Sequence, residues 1–465
     1  METPKTTLPV PEPTTEAFWR TQLHELDSYR TTAVLPGTVD VAVIGAGFAG
    51  VTAAYHMYHG AGTAPASVLM LEARGACSGA TGRNGGQLKA DTYFKILPYT
   101  RKFGAAQAAA VARFETDNVM AVKALVEAEN IDCDLVLTRA LDVYTDAAQA
   151  DEVEAGYREL VRIGVADLAD VQLLRGAAAE AASGIHGAKA VVSLTAGHLW
   201  PYKMVMHLLS GMVQNEVQTG FNLQTNTPVT AVEAADLGSD DDTPPWILTT
   251  PRGRVRARQV LFATNGYTAA IAPQFHARIV PVRGICSHIA VADPDNRRRE
   301  RAARPPLANS YSLRYGPGLA DYLIPRLDGS IVVGGAKGAF WHDRSQWYGV
   351  TDDTRLIEPA ADYFDGLMQR HFRGWEQSAA STDHVWTGIM GWTADFMPYV
   401  GPVPGRPGQF ICAGFSGHGM PQVLLSSKAV VAMMAGSPYD HTGLPPPFEP
   451  TEARLASEKN ELLDL

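Results

Sequence analysis

VDVAVIGAGFAGVTAAYHM, residues 39–57, is the stretch on which the fold turns. Val39 to Ile44 is an apolar, β-branched run, the profile of a strand buried in a parallel sheet. Gly45, Ala46, Gly47, Phe48, Ala49 and Gly50 follow, and the helical run of Ala49 to His59 begins among them. Gly45 suits a tight turn, Gly47 a close approach of backbone to a pyrophosphate, and Gly50 close packing of helix on strand. The helix start offers unpaired N–H donors and partial positive charge to phosphates. A second apolar strand, Val68 to Leu71, ends at Glu72, placed to accept from ribose hydroxyls, with Ala73 and Arg74 beside it. Strand, glycines, helix and acid in this register predict an adenine dinucleotide; a Gly-rich turn in another α/β protein is the plainer alternative.

Outward from this unit, 465 residues exceed what one hydrophobic core holds and predict two or three domains. With 46% hydrophobic and 19% charged residues, the composition is that of an ordinary globular protein. A formal charge of −10 argues against nucleic acid, and the basic run Arg297 to Arg299 is local. The cysteines at 77, 133, 286 and 412 have no metal-ligand spacing, so no metal site and a reducing, cytoplasmic setting are expected. The first residues lack the apolar core of a secretory signal, and no run of about eighteen apolar residues predicts a membrane span.

The expected organisation is a Pro-rich arm over 1–38 anchored by Phe18 and Trp19; a nucleotide domain in three parts, 39–100, 201–275 and 384–440; helical and substrate-domain segments over 101–200; a substrate domain over 276–383; and a tail over 441–465. Helices are predicted for 104–129, 148–163, 200–218, 356–372 and 421–434. Strands are predicted near 226–233, 260–264 and 409–413, a hairpin around Pro251-Arg252-Gly253, and an antiparallel sheet between 279 and 347. The fold class is therefore α/β: a Rossmann-type domain carrying a second, mainly antiparallel sheet domain.

Two further glycine-rich segments, GATGRNGG at 79–86 and GFSGHG at 414–419, favour FAD over a nicotinamide. A resident flavin must be gripped along its whole length, whereas a nicotinamide must leave after each turnover. With ATNGY at 263–267 and YLIPRLDGSIVVGG at 322–335, these segments make the chain resemble the D-amino-acid oxidase family of FAD-dependent oxidoreductases, in its glycine/sarcosine oxidase and gamma-glutamylputrescine oxidase branch. The resemblance implies that Gly79, Ala80, Thr81, Arg83, Asn84, Gly85 and Gly86 run beside the cofactor. It places Gly414, Gly417, His418, Gly419 and Met420 near the pyrimidine edge of the flavin. Val229, Thr264, Asn265, Gly266 and Gly388 complete the cofactor set. Where some relatives tether FAD through a histidine, this chain has Arg83, and Thr387 to Trp392 contains no cysteine, so the FAD is expected to be non-covalent. Sarcosine oxidases place a carboxylate-binding lysine where Pro421 stands, which disfavours a simple N-methyl amino acid.

The implied reaction is oxidation of an amine C–N bond to an imine, with oxygen reduced to hydrogen peroxide. Arg83 and His418 are candidate catalytic residues, Trp392 a substrate wall, Arg326 (with Arg283) a charge partner, and Lys89 and Lys337 cations that assist oxygen. Some of Tyr311, Tyr315, Tyr322, Trp341, Trp347, Trp386 and Trp392 are expected to face a bulky or aromatic secondary amine and to contact its cationic nitrogen. A dehydrogenase with another acceptor, a flavin monooxygenase and a non-catalytic nucleotide-binding protein stay open as alternatives.

Overall fold

The computed structural model describes residues 3–11, 13–60, 64–215, 220–235, 244–291 and 305–464. The basic run 297–299 and the end of the helix expected to reach 218 lie outside them.

Two sheets organise the chain. In the first, Gln409–Ala413, Gly253–Phe262, Thr38–Ile44, Val68–Leu71 and Phe221–Gln224 lie side by side and parallel, with Tyr399–Pro402 antiparallel at one edge. All four residues of Val68–Leu71 are buried, as a strand covered on both faces requires. The helices Phe48–His59 and Val423–Met434 pack together against this sheet, joined where Thr52 Oγ1 donates to Ser427 Oγ at 2.9 Å. The hairpin at 251–253 and the strand expected at 260–264 are one continuous element. Gly253–Phe262 pairs antiparallel with Trp246–Thr250, then parallel with Thr38–Ile44.

The second sheet runs in the order Ser381–Thr393, Ile279–Ala290, Ile331–Gly334, Leu319–Pro325, Ser310–Gly316, Val136–Tyr144, Ala190–His198 and Gln87–Leu88. It is antiparallel except where Ser310–Gly316 runs parallel to Val136–Tyr144. Ser381–Thr393 pairs with Ile279–Ala290 along its length, so residue 384 falls inside this sheet. Gln87–Leu88 ties the end of the 79–86 segment to it as well.

Three local expectations need correction. Residues 356–372 form a short 3-10 turn, Glu358–Ala360, and a helix only over Leu367–His371. Pro359 and the left-handed Gly366, at φ 66°, interrupt a longer one. Near 226–233 the strand is confined to Ala231–Ala234. The last helix of the first sheet begins at Val423, not at Pro421. Among the described residues no helix is long and apolar enough to cross a membrane.

Candidate functional site

Parallel strands end in the same direction, so their C-terminal loops converge, and open α/β sheets bind ligands there. Thr38–Ile44 runs into Gly45, Gly253–Phe262 into Ala263, and Gln409–Ala413 into Gly414, on three adjacent strands. Gly45 takes φ 108°, and a methyl group there would lie 2.6 Å from Ala263 O; one on Gly50 would run into Gly45 O. Asn265, itself at φ 42°, accepts at Oδ1 from the Gly414 N–H at 3.0 Å and so binds two of the loops together. A cavity of about 880 Å³ extends from this junction to the second sheet.

Glu72 lines the cavity and accepts from the N–H groups of Ala46 at 2.8 Å and Arg74 at 3.0 Å. Thr81 Oγ1 accepts from the Phe48 N–H at 3.0 Å, holding the 79–86 segment on the helix start. Asn84 Oδ1 accepts from the Gly86 N–H at 2.7 Å, and Gly85 has no room for a side chain because the Tyr322 ring packs on it. Of the residues expected at the cofactor, Ala46, Gly50, Gly266 and Gly414 stay off the cavity wall; the others line it. Tyr267 Oη and Trp392 Nε1 are buried on that wall with no hydrogen-bond partner among the described residues. A long polar cofactor fits these unmatched groups and the side-chain-free glycine cradle.

Arg83 lines the cavity, but its guanidinium points elsewhere. It donates to Ser78 O at 2.9 Å, Thr387 O at 2.7 Å, Thr15 O at 2.9 Å and Thr14 Oγ1, with Asp353 at 3.4 Å. With its donors so committed, it fastens the N-terminal arm. Arg326, by contrast, is absent from the wall. It lies over the rings of Phe18 at 4.7 Å and Trp200 at 4.5 Å and pairs with Asp134 at 3.3 Å. Arg283 donates to Gln346 O at 2.8 Å, also off the wall.

His418 does reach the cavity, and its Nε2 lies 2.8 Å from Glu115 Oε2. Glu115 is 1% exposed and also accepts from Gln422 Nε2 and the Asp91 N–H, both at 2.7 Å. One helical turn on, Asn118 donates to Met420 O at 3.2 Å and accepts from the Leu425 N–H at 2.9 Å. The helix Ala105–Ala128 thus holds the 414–420 loop in place.

At the second sheet, Tyr322, Trp341 and Trp392 line the cavity, whereas Tyr311, Tyr315, Trp347 and Trp386 pack away from it. The faces expected to meet a cationic substrate are already in use. Lys337 Nζ stands 4.2 Å from the Trp341 ring centre and 5.1 Å from that of Trp392. Among the described residues no carboxylate pairs with it. Burial, reinforced by Lys95 and Arg314, lowers the Lys337 ammonium to about 8. Lys89 also faces the cavity but is paired with the fully buried Asp142 at 2.5 Å, which accepts from Tyr93 Oη at 2.5 Å and meets Arg314 at 3.5 Å. Burial pushes the Asp142 carboxyl up, yet Lys89 and Arg314 outweigh it and hold the group at about 2.

Glu115, Asn118, Asp142 and Arg314 were not singled out from the sequence. Glu115 and Asn118 carried one usable signal: they are polar on the same face as Val111, Ala112, Val119 and Val122, where an apolar stripe is expected.

A family model described as FAD dependent oxidoreductase (DAO) matches residues 40–433. The gamma-glutamylputrescine oxidoreductase of Escherichia coli (strain K12) is 24% identical over 403 residues, 86% of this chain and 84% of its own. Glycine oxidase from Geobacillus kaustophilus shares the fold with a TM-score of 0.65 at 19% identity, over 90% of this chain and 99% of its own. L-proline dehydrogenase from P. horikoshii does so at 0.65 and 17% identity, over 90% and 98%.

Proposed function

This chain belongs to the family of FAD-dependent oxidoreductases, and on that premise we propose that it oxidises a C–N bond of a small amine or amino acid, with oxygen as final acceptor. The substrate loses two electrons and two protons to become an imine, which water hydrolyses; oxygen takes up two electrons and two protons and leaves as hydrogen peroxide. When bound, FAD supplies the two-electron redox chemistry that no side chain can. The observation that carries the reading is continuity: one cavity joins the glycine cradle of the first sheet to the Lys337–Trp341–Trp392 wall of the second.

In this reading Gly45 to Gly50 and Glu72 hold the pyrophosphate and ribose, while residues 83–86 and 417–420 flank the ring. The cations set the protonation state of the substrate. Lys337 and Arg314 both line the cavity, and Asp142 is already neutralised by Lys89 and Arg314. A second positive charge is disfavoured there, so a bound amine is held neutral, with the lone pair that C–N oxidation needs. The aromatic wall serves as an apolar surface for a bulky or secondary amine, its rings occupied by Lys337 instead of the substrate cation. Lys337, with no carboxylate partner among the described residues, is the cation best placed to assist oxygen; Lys89 is committed to Asp142.

FAD is held without a covalent bond: Arg83 stands at the tether position, and burial keeps the cavity-lining Cys286 and Cys412 as thiols, pushed up to about 11 and about 12. The four described cysteines are all free and buried, which supports a cytoplasmic setting. A peroxide-coupled screen of primary, secondary and N-methylated amines tests the reading, with flavin bleaching as a second readout. An amine that bleaches the flavin and yields peroxide in air supports it. Bleaching that persists in air points to another acceptor, and bleaching by NADPH without amine to a monooxygenase.

A further inference from the structure

We infer that residues 3–11 form an additional wall of the cofactor site, a strap over its adenosine end that must be displaced before FAD enters or leaves. The inference rests on FAD occupying the cavity with its adenosine portion at Glu72, as proposed above. Leu8 and Pro9 line the same cavity as Glu72, Ala73 and Val229. Leu8 packs on the cluster that contains Ile44, Leu71 and Val229, all at the end of the first sheet.

The strap is fastened on both sides of Leu8 and Pro9. On one side Thr3 Oγ1 meets Tyr348 Oη at 2.9 Å and Thr7 Oγ1 meets Thr351 Oγ1 at 2.6 Å. On the other, Arg74 donates to Val10 O at 3.4 Å, and the Thr15 N–H and Oγ1 both donate to Asp353 O at 3.0 Å. Asp353, wholly buried, is the hub: its carboxylate takes two bonds from Arg74, at 2.9 and 3.1 Å, and lies 3.4 Å from Arg83, which itself grips Thr14 and Thr15. Arg74 follows Glu72 by two residues, so the residue pair at the ribose position carries both a cofactor contact and a fastening of the strap.

The chemistry of the segment suits a cover that opens without unfolding the core. Prolines at 4, 9 and 11 keep it extended when free, which limits the entropy gained on release. Its apolar contribution is the half-buried Leu8, Pro9 and Val10 beside the buried Thr6, while Pro4, Lys5 and Pro11 are exposed. Hydrogen bonds at its two ends and the packing of these few residues, Leu8 foremost, therefore hold it closed.

The test measures FAD release from the purified holoenzyme by the rise in free-flavin fluorescence after dilution. It compares the full chain, a chain lacking residues 1–11, and full-length Leu8→Ser, with urea unfolding of each apoprotein as a control for the fold. Tenfold or faster release from the truncated chain and a smaller acceleration in L8S, with unfolding midpoints unchanged, is the expected result. Should the truncated chain fail to fold, L8S alone decides, with at least threefold faster release expected. Release within twofold of the full chain in the variants that fold overturns the strap. A full-length protein that takes up no FAD overturns the cofactor reading itself, and with it the strap.

Discussion

Replacing Glu115 with alanine tests how the His418 loop is held. The carboxylate accepts from His418 Nε2, Gln422 Nε2 and the Asp91 N–H, and it is 1% exposed. A buried donor left without its acceptor costs about 1–3 kcal/mol, so three together set an upper range of about 3–9 kcal/mol. His418 and Asp91 line the cavity, where water can recover their bonds, while Gln422, which also reaches the wall, is itself 5% exposed. The net loss expected for Glu115→Ala is therefore about 3–5 kcal/mol. Glu115→Gln keeps the volume and one acceptor oxygen but turns an NH₂ group toward a donor, and is expected to lose about 1–3 kcal/mol. Urea unfolding of the FAD-loaded protein gives the stabilities, and anaerobic stopped-flow reduction by an active amine gives the consequence for the site. Because His418 loses its fixed orientation, reduction is expected to slow about tenfold in Glu115→Ala, equivalent to about 1.4 kcal/mol on the barrier. An alanine variant matching the parent in both unfolding and reduction would refute the account of this loop.

Other expectations follow from the same geometry. Gly50→Ala drives a methyl into Gly45 O, and is expected to cost about 1–3 kcal/mol and to leave purified protein depleted in FAD by absorbance. Lys337→Met removes a cation of the cavity wall; with an effective dielectric near 20, its loss is worth about 1.4–2.8 kcal/mol, or roughly ten- to hundredfold in the rate of reoxidation by oxygen. The parent should show that rate falling as pH rises through about 8, where burial has placed the Lys337 ammonium, and the methionine variant should be flat there. Trp392→Ala opens the wall and is expected to raise KM for bulky amines about tenfold, while anaerobic titration still reaches complete reduction. Denaturing the holoenzyme in acid should release all flavin into the supernatant; flavin retained on the chain would contradict non-covalent binding.

The nucleotide half of the molecule was legible because its constraints are local. A strand, three glycines, a helix and Glu72 follow one another within the span 39–72, and each residue type answers a backbone requirement that no other element can meet. The antiparallel sheet was legible as a class from its alternating strands and turns. Its partners were not, since Ser381–Thr393 meets Ile279–Ala290 across about ninety intervening residues. Most residues of the expected cofactor segments line the cavity, but side-chain direction was hidden: Arg83 belongs to the 79–86 loop in sequence and to the arm in space. Glu115 and Asp142 were invisible for a related reason. A buried acid is recognisable only when its donors are known, and those donors come from residues 91, 418 and 422 for one and 89, 93 and 314 for the other.

Anaerobic mixing of the FAD-loaded protein with amines, read at the flavin absorbance near the visible maximum and followed by admission of air, bears most directly on the account. Loss of the yellow colour with an amine, its return in air and one peroxide per amine consumed is the predicted outcome. A flavin that stays oxidised with every amine offered, yet bleaches with NADPH alone, would contradict it.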